Sequence, residues 1–166
     1  MKQISPRTAY EAGHRPKYLV VIDTTPECGR ALRYAARSCA RHGAGLVLLS
    51  VAPKADDAFW LGIEQMARAE SEITAHGLLD KAAALSRQFT GAEPERIIRE
   101  GAAAQEIASL IDEDRDIALL VLAAGSGPDG PGPLVSSLAH KTSASFAIPV
   151  TIIPGDLTDE AINALA

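Results

Sequence analysis

The sequence predicts an α/β fold with a five-stranded, mostly parallel sheet sandwiched between helices. Three observations support this class. Short apolar runs rich in β-branched residues alternate along the chain with longer segments of helical periodicity. The run at 117–124 contains no polar residue, as in a strand that is covered on both faces. Because a strand-helix-strand crossover in one sheet is right-handed, this alternation favours parallel strands with helices on both sides.

The first half of the chain contains two predicted strands and two predicted helices. Residues 18–22 form the first strand, and a helix follows from Pro26 to His42, with Thr25 as its cap and Glu27 in its first turn. Gly43 suits the left-handed position after that helix. Residues 46–51 form the second strand, and a long helical pattern then extends from about 63 to 88.

The second half repeats the alternation. Residues 96–99 form a short third strand, whose charged flanks favour a position near the edge of the sheet. A helix over 102–111, the apolar strand 117–124, a helix over 134–146 and a last strand near 150–153 complete the order. We expect one domain over 17–155, preceded by a flexible arm over 1–16 and followed by a C-terminal helix and tail over 156–166.

Composition excludes several classes of protein. With 166 residues, of which 47% are hydrophobic and 22% charged, the chain is typical of one globular domain. The net charge of −5 disfavours nucleic acid as a partner. No apolar run approaches the roughly 20 residues of a membrane span, and the N-terminus lacks the apolar centre of a signal peptide. Cys28 and Cys39 are too far apart on one predicted helix to form a disulfide. Since no secretory feature is evident, we expect a cytoplasmic protein.

A loop rich in glycine and proline follows the fourth strand. Gly125, Ser126 and Gly127 precede a helix whose first turn contains Ser136 and Ser137. Open α/β sheets bind anions and nucleotides at such positions, where backbone N–H groups and the helix dipole can hold a phosphate. The alternative is that the serines are ordinary first-turn residues and the prolines stiffen a turn. The sequence favours neither interpretation.

Asp23 ends the first strand at the same edge of the sheet. Its carboxylate can accept hydrogen bonds from an adenine amine or a ribose hydroxyl, or it can cap the following helix. Residues 125–130 also match the dinucleotide pattern GxGxxG. That pattern requires its helix to start within the motif, whereas Pro131 and Pro133 delay the helix here.

No set of residues is typical of catalysis. His140 lies about one helical turn from Ser136 and Ser137, but no strained turn presents either serine as a nucleophile. We therefore expect neither an enzyme nor a metal site. The alternative is a small nucleotide-hydrolysing or phosphotransfer enzyme that uses the 123–137 loop, with Asp23 and Asp129 as its candidate carboxylates.

Over residues 17–154 the chain resembles the universal stress protein family (UspA-like). The resemblance is carried by residues 19–36, 46–51 and 99–107 and by the closing segment 137–150. It implies a Rossmann-like, adenine nucleotide α-hydrolase-like fold and a role in the stress response. It also implies a homodimer that pairs through the last strand, Val150 to Ile153. One branch of the family acts by dimerisation and protein contacts without binding nucleotide, and here the protein partner is unknown.

Many members of this family bind ATP or AMP, and the resemblance implies the same site here. Their phosphate motif is Gly, two residues, Gly, nine residues, Gly, then Ser or Thr. With its last residue set on Ser137, the three glycines fall on Ala123, Ser126 and Ser136, so all three are replaced. The resemblance therefore implies an adenine nucleotide with weakly held phosphates. The implied binding residues are Ile22, Asp23, Thr24, Val51, Ala123, Gly125, Ser126, Gly127, Ser136 and Ser137.

Overall fold

Five strands form one sheet in the order β3-β2-β1-β4-β5, and every neighbouring pair is parallel. This computed structural model describes residues 5–54, 61–140 and 146–166, with only the backbone at 61, 64 and 138–140. The predicted fold class is confirmed. The elements are β1 (Lys17–Val21), α1 (Cys28–His42), β2 (Gly45–Ala52), α2 (Leu61–Thr90), β3 (Glu95–Glu100), α3 (Ala103–Glu113), β4 (Ile117–Ala124), α4 (Pro133–His140), β5 (Val150–Pro154) and α5 (Asp159–Leu165).

Helices cover both faces of the sheet and form two hydrophobic cores. Along β1, Tyr18 and Val20 belong to the core with α1, α2 and α5, whereas Leu19 belongs to the core with α3 and α4. This alternation follows from the strand geometry, in which successive side chains point to opposite faces. Since both faces are covered, the central strands carry apolar residues at nearly every position.

Some helix boundaries differ from the predictions. Helix α1 begins at Cys28 rather than at Pro26, and no side chain caps its first turn. Gly43 ends α1 in the left-handed conformation with φ 68°, as predicted. Helix α4 is described as far as His140. The predicted continuation over 141–145 lies outside the described residues, and Phe146 is not helical.

From residue 5 onward, the N-terminal segment packs against the domain, which corrects the prediction of a flexible arm over 1–16. The Arg7 guanidinium donates hydrogen bonds to the carbonyl oxygens of Ile111, Asp114 and Ile117 at 2.6, 2.6 and 2.8 Å. It thereby provides a partner for the Ile111 carbonyl in the last turn of α3, where carbonyls have no partner within the helix, and it ties the segment to the turn before β4. Ala9 is buried in the same segment. Residues 1–4 lie outside the described part of the chain.

The predicted C-terminal helix is present as α5, but it is packed into the domain rather than extending as a tail. Ile162 is fully buried in the core that α5 shares with α1. Asp159 forms an ion pair with Arg30 of α1, and Thr158 caps α5 by accepting a hydrogen bond from the Ala161 N–H. In the part of the chain that is described, no helix is both long and apolar enough to cross a membrane.

Candidate functional site

The strand order reverses at the centre of the sheet. From β1 the chain proceeds to β2 and β3 on one side, whereas β4 leads to β5 on the other. Open α/β sheets bind ligands in the crevice between the loops that follow two such strands. Here those loops are 22–27, between β1 and α1, and 125–132, between β4 and α4. Two cavities open beside them.

The first, which we call the wide cavity, lies between the ends of β1 and β2 and helix α2 and has a volume of about 480 Å³. Its wall includes Ile22, Asp23, Thr24 and Val51, which all belong to the predicted binding set. The apolar side chains of Ile22 and Val51 and the carboxylate of Asp23 thus face one space. Such a mixture of apolar surface and a few polar groups is typical of small-molecule sites.

The second, the loop cavity, lies between the β1–α1 and β4–α4 loops and has a volume of about 190 Å³. Ile22, Asp23 and Val51 line it as well, so the two cavities share a wall. Ala123, also a predicted residue, lies on the opposite side of the loop cavity, together with residues of the β4–α4 loop. The structure therefore brings part of the predicted set together around Asp23.

Asp23 organises the β1–α1 loop. Its Oδ1 accepts a hydrogen bond from the Thr25 N–H at 2.9 Å and another from the Thr25 hydroxyl at 2.5 Å, an Asx turn of the kind that aspartate favours. No side chain caps α1, so the capping role that the sequence left open for Asp23 is excluded. Asp23 lines both cavities, so its carboxylate is an acceptor group at their shared wall.

Glu27 occupies a niche at the wall of the loop cavity. Neither Gly125 nor Gly155 has a positive φ, so their backbone conformations do not require glycine. A Cβ on Gly125 would lie 2.9 Å from the Gly130 oxygen and 3.2 Å from Glu27 Oε1. A Cβ on Gly155 would lie 2.7 Å from the Ala124 oxygen and 2.9 Å from Glu27 Cβ. The two glycines therefore leave the space in which the Glu27 side chain packs against the end of β4.

The β4–α4 loop does not present all of the free backbone donors that the sequence predicted. The Gly125 N–H donates to the Pro131 carbonyl at 3.1 Å, and the Ser136 N–H donates to the Gly132 carbonyl at 2.9 Å. Both amides are therefore engaged within the chain. This is a correction to the expectation that a phosphate would meet open backbone at these positions.

The remaining predicted residues lie away from the cavity walls. Ser126 and Gly127 are exposed, and neither lines the wide or the loop cavity. Ser136 and Ser137 are half-buried near the middle of α4, which begins at Pro133, and neither lines either cavity. The His140 side chain, considered above beside these serines, lies outside the described part of the structure.

The electrostatic character of both cavities is acidic. Among the described residues that line the loop cavity, the charged ones are Asp23 and Glu27. Among those that line the wide cavity, the charged ones are Asp23 and Glu70. Burial raises the pKa of the Cys28 thiol, which also lines the loop cavity, to about 11, so this thiol is protonated at neutral pH. Across the described residues, no three His, Cys, Asp or Glu side chains are placed to hold a metal ion.

Sequence reasoning missed Glu27 as a cavity residue, because it placed this side chain only in the first turn of α1. The space that Glu27 occupies is left by Gly125 and Gly155, which are about 100 and about 130 residues away along the chain. The glycine directly after each of β4 and β5 is a sequence feature that could have indicated this close packing. To use it, one would have to know that the two strand ends lie beside the start of α1.

The fold and the crevice define an open, parallel α/β domain with helices on both faces of its sheet. The sequence model of the Universal stress protein family matches residues 15–154, and the chain belongs to this family. The match covers most of the chain and confirms the resemblance drawn from the sequence. No curated protein matches the sequence.

Solved structures of universal stress proteins share the fold. UspA from Lactobacillus plantarum has a TM-score of 0.69 at 16% identity, over 83% of this chain and 97% of that one. The Archaeoglobus fulgidus protein in complex with dAMP has a TM-score of 0.53 at 20% identity, over 83% and 97%. A family member from Arabidopsis thaliana with AMP bound has a TM-score of 0.57 at 16% identity, over 87% and 94%.

Proposed function

We propose that this chain is a homodimeric stress-response protein that binds an adenine nucleotide, AMP or ATP, at the carboxyl edge of its sheet, holds the phosphates weakly, and catalyses no reaction. The observation that carries the proposal is the position of Asp23, a carboxylate residue on the wall shared by two cavities at the reversal of strand order. The AMP and dAMP in the two related structures support the choice of ligand.

The sizes of the cavities suggest how the nucleotide is divided between them. The wide cavity, at about 480 Å³, is within the range of about 300 to 1,000 Å³ that is usual for small-molecule sites. It suits the base and the ribose, with Ile22 and Val51 as apolar contacts and Asp23 as the acceptor for an amine or a hydroxyl. The phosphates would extend toward the β4–α4 loop, where no basic side chain among the described residues neutralises them.

The geometry favours binding over hydrolysis. A nucleotide-hydrolysing enzyme would need Asp23 and Asp129 to converge on the phosphates. Asp129 is exposed in the β4–α4 loop and lines neither cavity, so its carboxylate is not directed at the same space as that of Asp23. A protein that acts through its bound ligand and through protein contacts fits this arrangement better.

Titration of the protein with AMP by isothermal calorimetry tests the nucleotide part of the proposal. Asp23→Asn keeps Oδ1 as the acceptor for Thr25 but converts the second oxygen into a donor. We expect this change to lower the affinity for AMP about tenfold, which corresponds to one lost hydrogen bond to a charged group. Asp129→Asn, in the exposed loop, should leave the affinity unchanged.

Thermal denaturation provides a second measurement. Ligand at about 100 times its dissociation constant adds about 2.7 kcal/mol to the free energy of unfolding, which for a chain of this size raises Tm by roughly 5 to 10 °C. If adenosine, AMP and ATP all leave Tm unchanged and give no heat of binding, the nucleotide proposal is wrong.

The homodimer is the second part of the proposal. Strand β5 forms one edge of the sheet, and the side chain of Ile152 on it is 44% exposed. An unpaired edge strand is a template for pairing with a second copy. A two-fold axis at this edge would pair residues Val150 to Ile153 of one copy with the same residues of the other in antiparallel orientation.

Replacing Ile152 with Asp should convert the dimer to a monomer, because each copy would then place a charged carboxylate, which is costly to desolvate, at the paired edge in place of an apolar side chain. Light scattering after gel filtration measures the mass directly. Ile73→Asp is the matched control, since Ile73 is an exposed isoleucine on α2, far from β5 in sequence. A dimer that survives Ile152→Asp but is lost in Ile73→Asp would assign the interface to α2 instead.

A further inference from the structure

We propose that Glu27 determines the ligand preference of this site, by placing a negative charge where the phosphate of a bound nucleotide would lie. The site then favours an uncharged, adenosine-like nucleoside over the corresponding phosphate. The inference deepens the proposed function and rests on it, because it concerns the same two cavities. It adds a residue and a ligand class that the sequence did not indicate.

The Glu27 side chain is held in place by its niche. Its Oε1 lies on the side of Gly125 and its Cβ on the side of Gly155, so that a side chain at either glycine would crowd Glu27 and a nearby carbonyl oxygen. Glu27 is half-buried and immediately precedes α1, whose amino end favours a negative charge. The carboxylate is therefore built into the wall of the loop cavity.

This niche lies at the place where an open α/β sheet ordinarily receives a phosphate, directly after a strand beside the reversal of strand order. The backbone donor that a phosphate would use, the Gly125 N–H, is already bonded to Pro131. In its place stands a carboxylate, with Asp23 as a second negative charge on the same wall and no basic residue among the described lining residues. A phosphate in this niche would be repelled chiefly by the Glu27 carboxylate beside it.

An uncharged ligand is not repelled by the Glu27 carboxylate and can form hydrogen bonds with it. Among the described residues, no hydrogen bond or ion pair is formed by the Glu27 carboxylate, which therefore has acceptor capacity for hydroxyl or amine groups. A nucleoside carries such donors on its ribose and its base. The same carboxylate that repels a phosphate thus accepts hydrogen bonds from the nucleoside.

The test compares adenosine with AMP by isothermal calorimetry for three proteins: the unmodified chain, Glu27→Gln and Asp129→Asn. Glutamine has the size of glutamate and fits the niche, so it removes the charge alone. Asp129 provides the control because it is an exposed carboxylate in the adjacent loop, outside both cavity walls. All titrations are done in 0.1 M NaCl, and those of the unmodified chain are repeated in 1 M NaCl.

We expect the unmodified chain and Asp129→Asn to bind adenosine about tenfold more tightly than AMP in 0.1 M NaCl, as for two like charges roughly 6 Å apart near a protein surface whose repulsion the salt reduces by about half. Glu27→Gln should bring the two affinities close together. In 1 M NaCl the ratio for the unmodified chain should also shrink, because the Debye length falls from about 10 to about 3 Å. A purely structural role of Glu27 would change both affinities alike.

Two results would overturn the inference and leave the proposed function intact. One is an unmodified chain that binds AMP at least as tightly as adenosine, and the other is a Glu27→Gln variant with an unchanged ratio. Either would place the phosphate elsewhere, for example in the third cavity at this edge, which Arg68 and Arg99 line. If Glu27→Gln does not fold, the unmodified chain in 0.1 M and 1 M NaCl provides the test, and a ratio of affinities that does not change with salt would overturn the inference. The absence of binding by adenosine, AMP and ATP would overturn both proposals.

Discussion

The β1–α1 and β4–α4 loops meet at the same edge of the sheet, but different chemistry holds them. In the β1–α1 loop a side chain holds the conformation, since the Asp23 carboxylate accepts two hydrogen bonds from Thr25. In the β4–α4 loop the backbone bonds to itself, as where the Gly130 N–H donates to the Gly127 carbonyl at 3.1 Å. The first loop therefore offers side chains to a ligand, whereas the second uses several of its backbone donors internally.

The glycines of the β4–α4 loop illustrate the difference. Gly130 and Gly132 have φ values of 83° and 97°, a conformation that side chains disfavour, so the turn itself requires them. Gly125 is required by close packing against Gly130 and Glu27 instead. A glycine-rich loop after a strand is thus not in itself a phosphate site, because turn geometry and packing require the same residue.

The largest effect should come from the contact between the ends of β4 and β5. Gly155→Ala would place a Cβ 2.7 Å from the Ala124 oxygen and 2.9 Å from Glu27 Cβ, and neither atom is the free end of a flexible chain. We expect a loss of about 3 kcal/mol in the free energy of unfolding, as for an overpacked core. Urea denaturation measures it.

Gly29→Ala is the control for that substitution, since a Cβ on Gly29, within α1, meets nothing within 4 Å. It should be neutral or should stabilise the protein by up to about 1 kcal/mol. A Gly155→Ala protein as stable as the Gly29→Ala protein would mean that the two strand ends separate without cost, contrary to the niche described for Glu27.

The next effect separates two glycines of one loop. Gly125→Ala would bring a Cβ to 2.9 Å from the Gly130 oxygen and should cost about 2 kcal/mol, because the loop must shift to relieve the contact. Gly127→Ala meets nothing within 4 Å and has no positive φ, so its effect should stay within about 0.5 kcal/mol. Equal losses at both positions would show that loop flexibility, rather than packing, determines the cost.

The smallest effect compares hydroxyl groups in the two loops. Thr25→Ala removes the hydroxyl that donates to Asp23 and should lower stability by about 1 kcal/mol. Ser126→Ala, at an exposed position, should change it by less than about 0.5 kcal/mol. Thermal denaturation of the two variants side by side is sufficient. A larger loss for Ser126→Ala would reverse the comparison, because it would mean that side chains hold the second loop as well.

Much of the fold could be predicted because it depends on local patterns. The apolar run at 117–124 forms β4 over the predicted residues. The charged residues that flank 96–99 predicted an edge position for β3, and β3 is an edge strand of the sheet. The start of α1 was predicted less well. Thr25 has the right chemistry for a cap, but its hydroxyl bonds to Asp23 instead, and a competition between two such partners cannot be read from either residue alone.

By itself, the sequence determined the alternation of strands and helices, the family, and the position of Asp23 at the end of β1, since each depends on residues close together in the chain. Only the tertiary structure decided that Arg7 ties the N-terminal segment to α3 and that Glu27 stands between the ends of β4 and β5. Both arrangements bring together residues that are about 100 to 130 positions apart in the chain. Their geometry depends on how whole elements pack, and no local pattern records that.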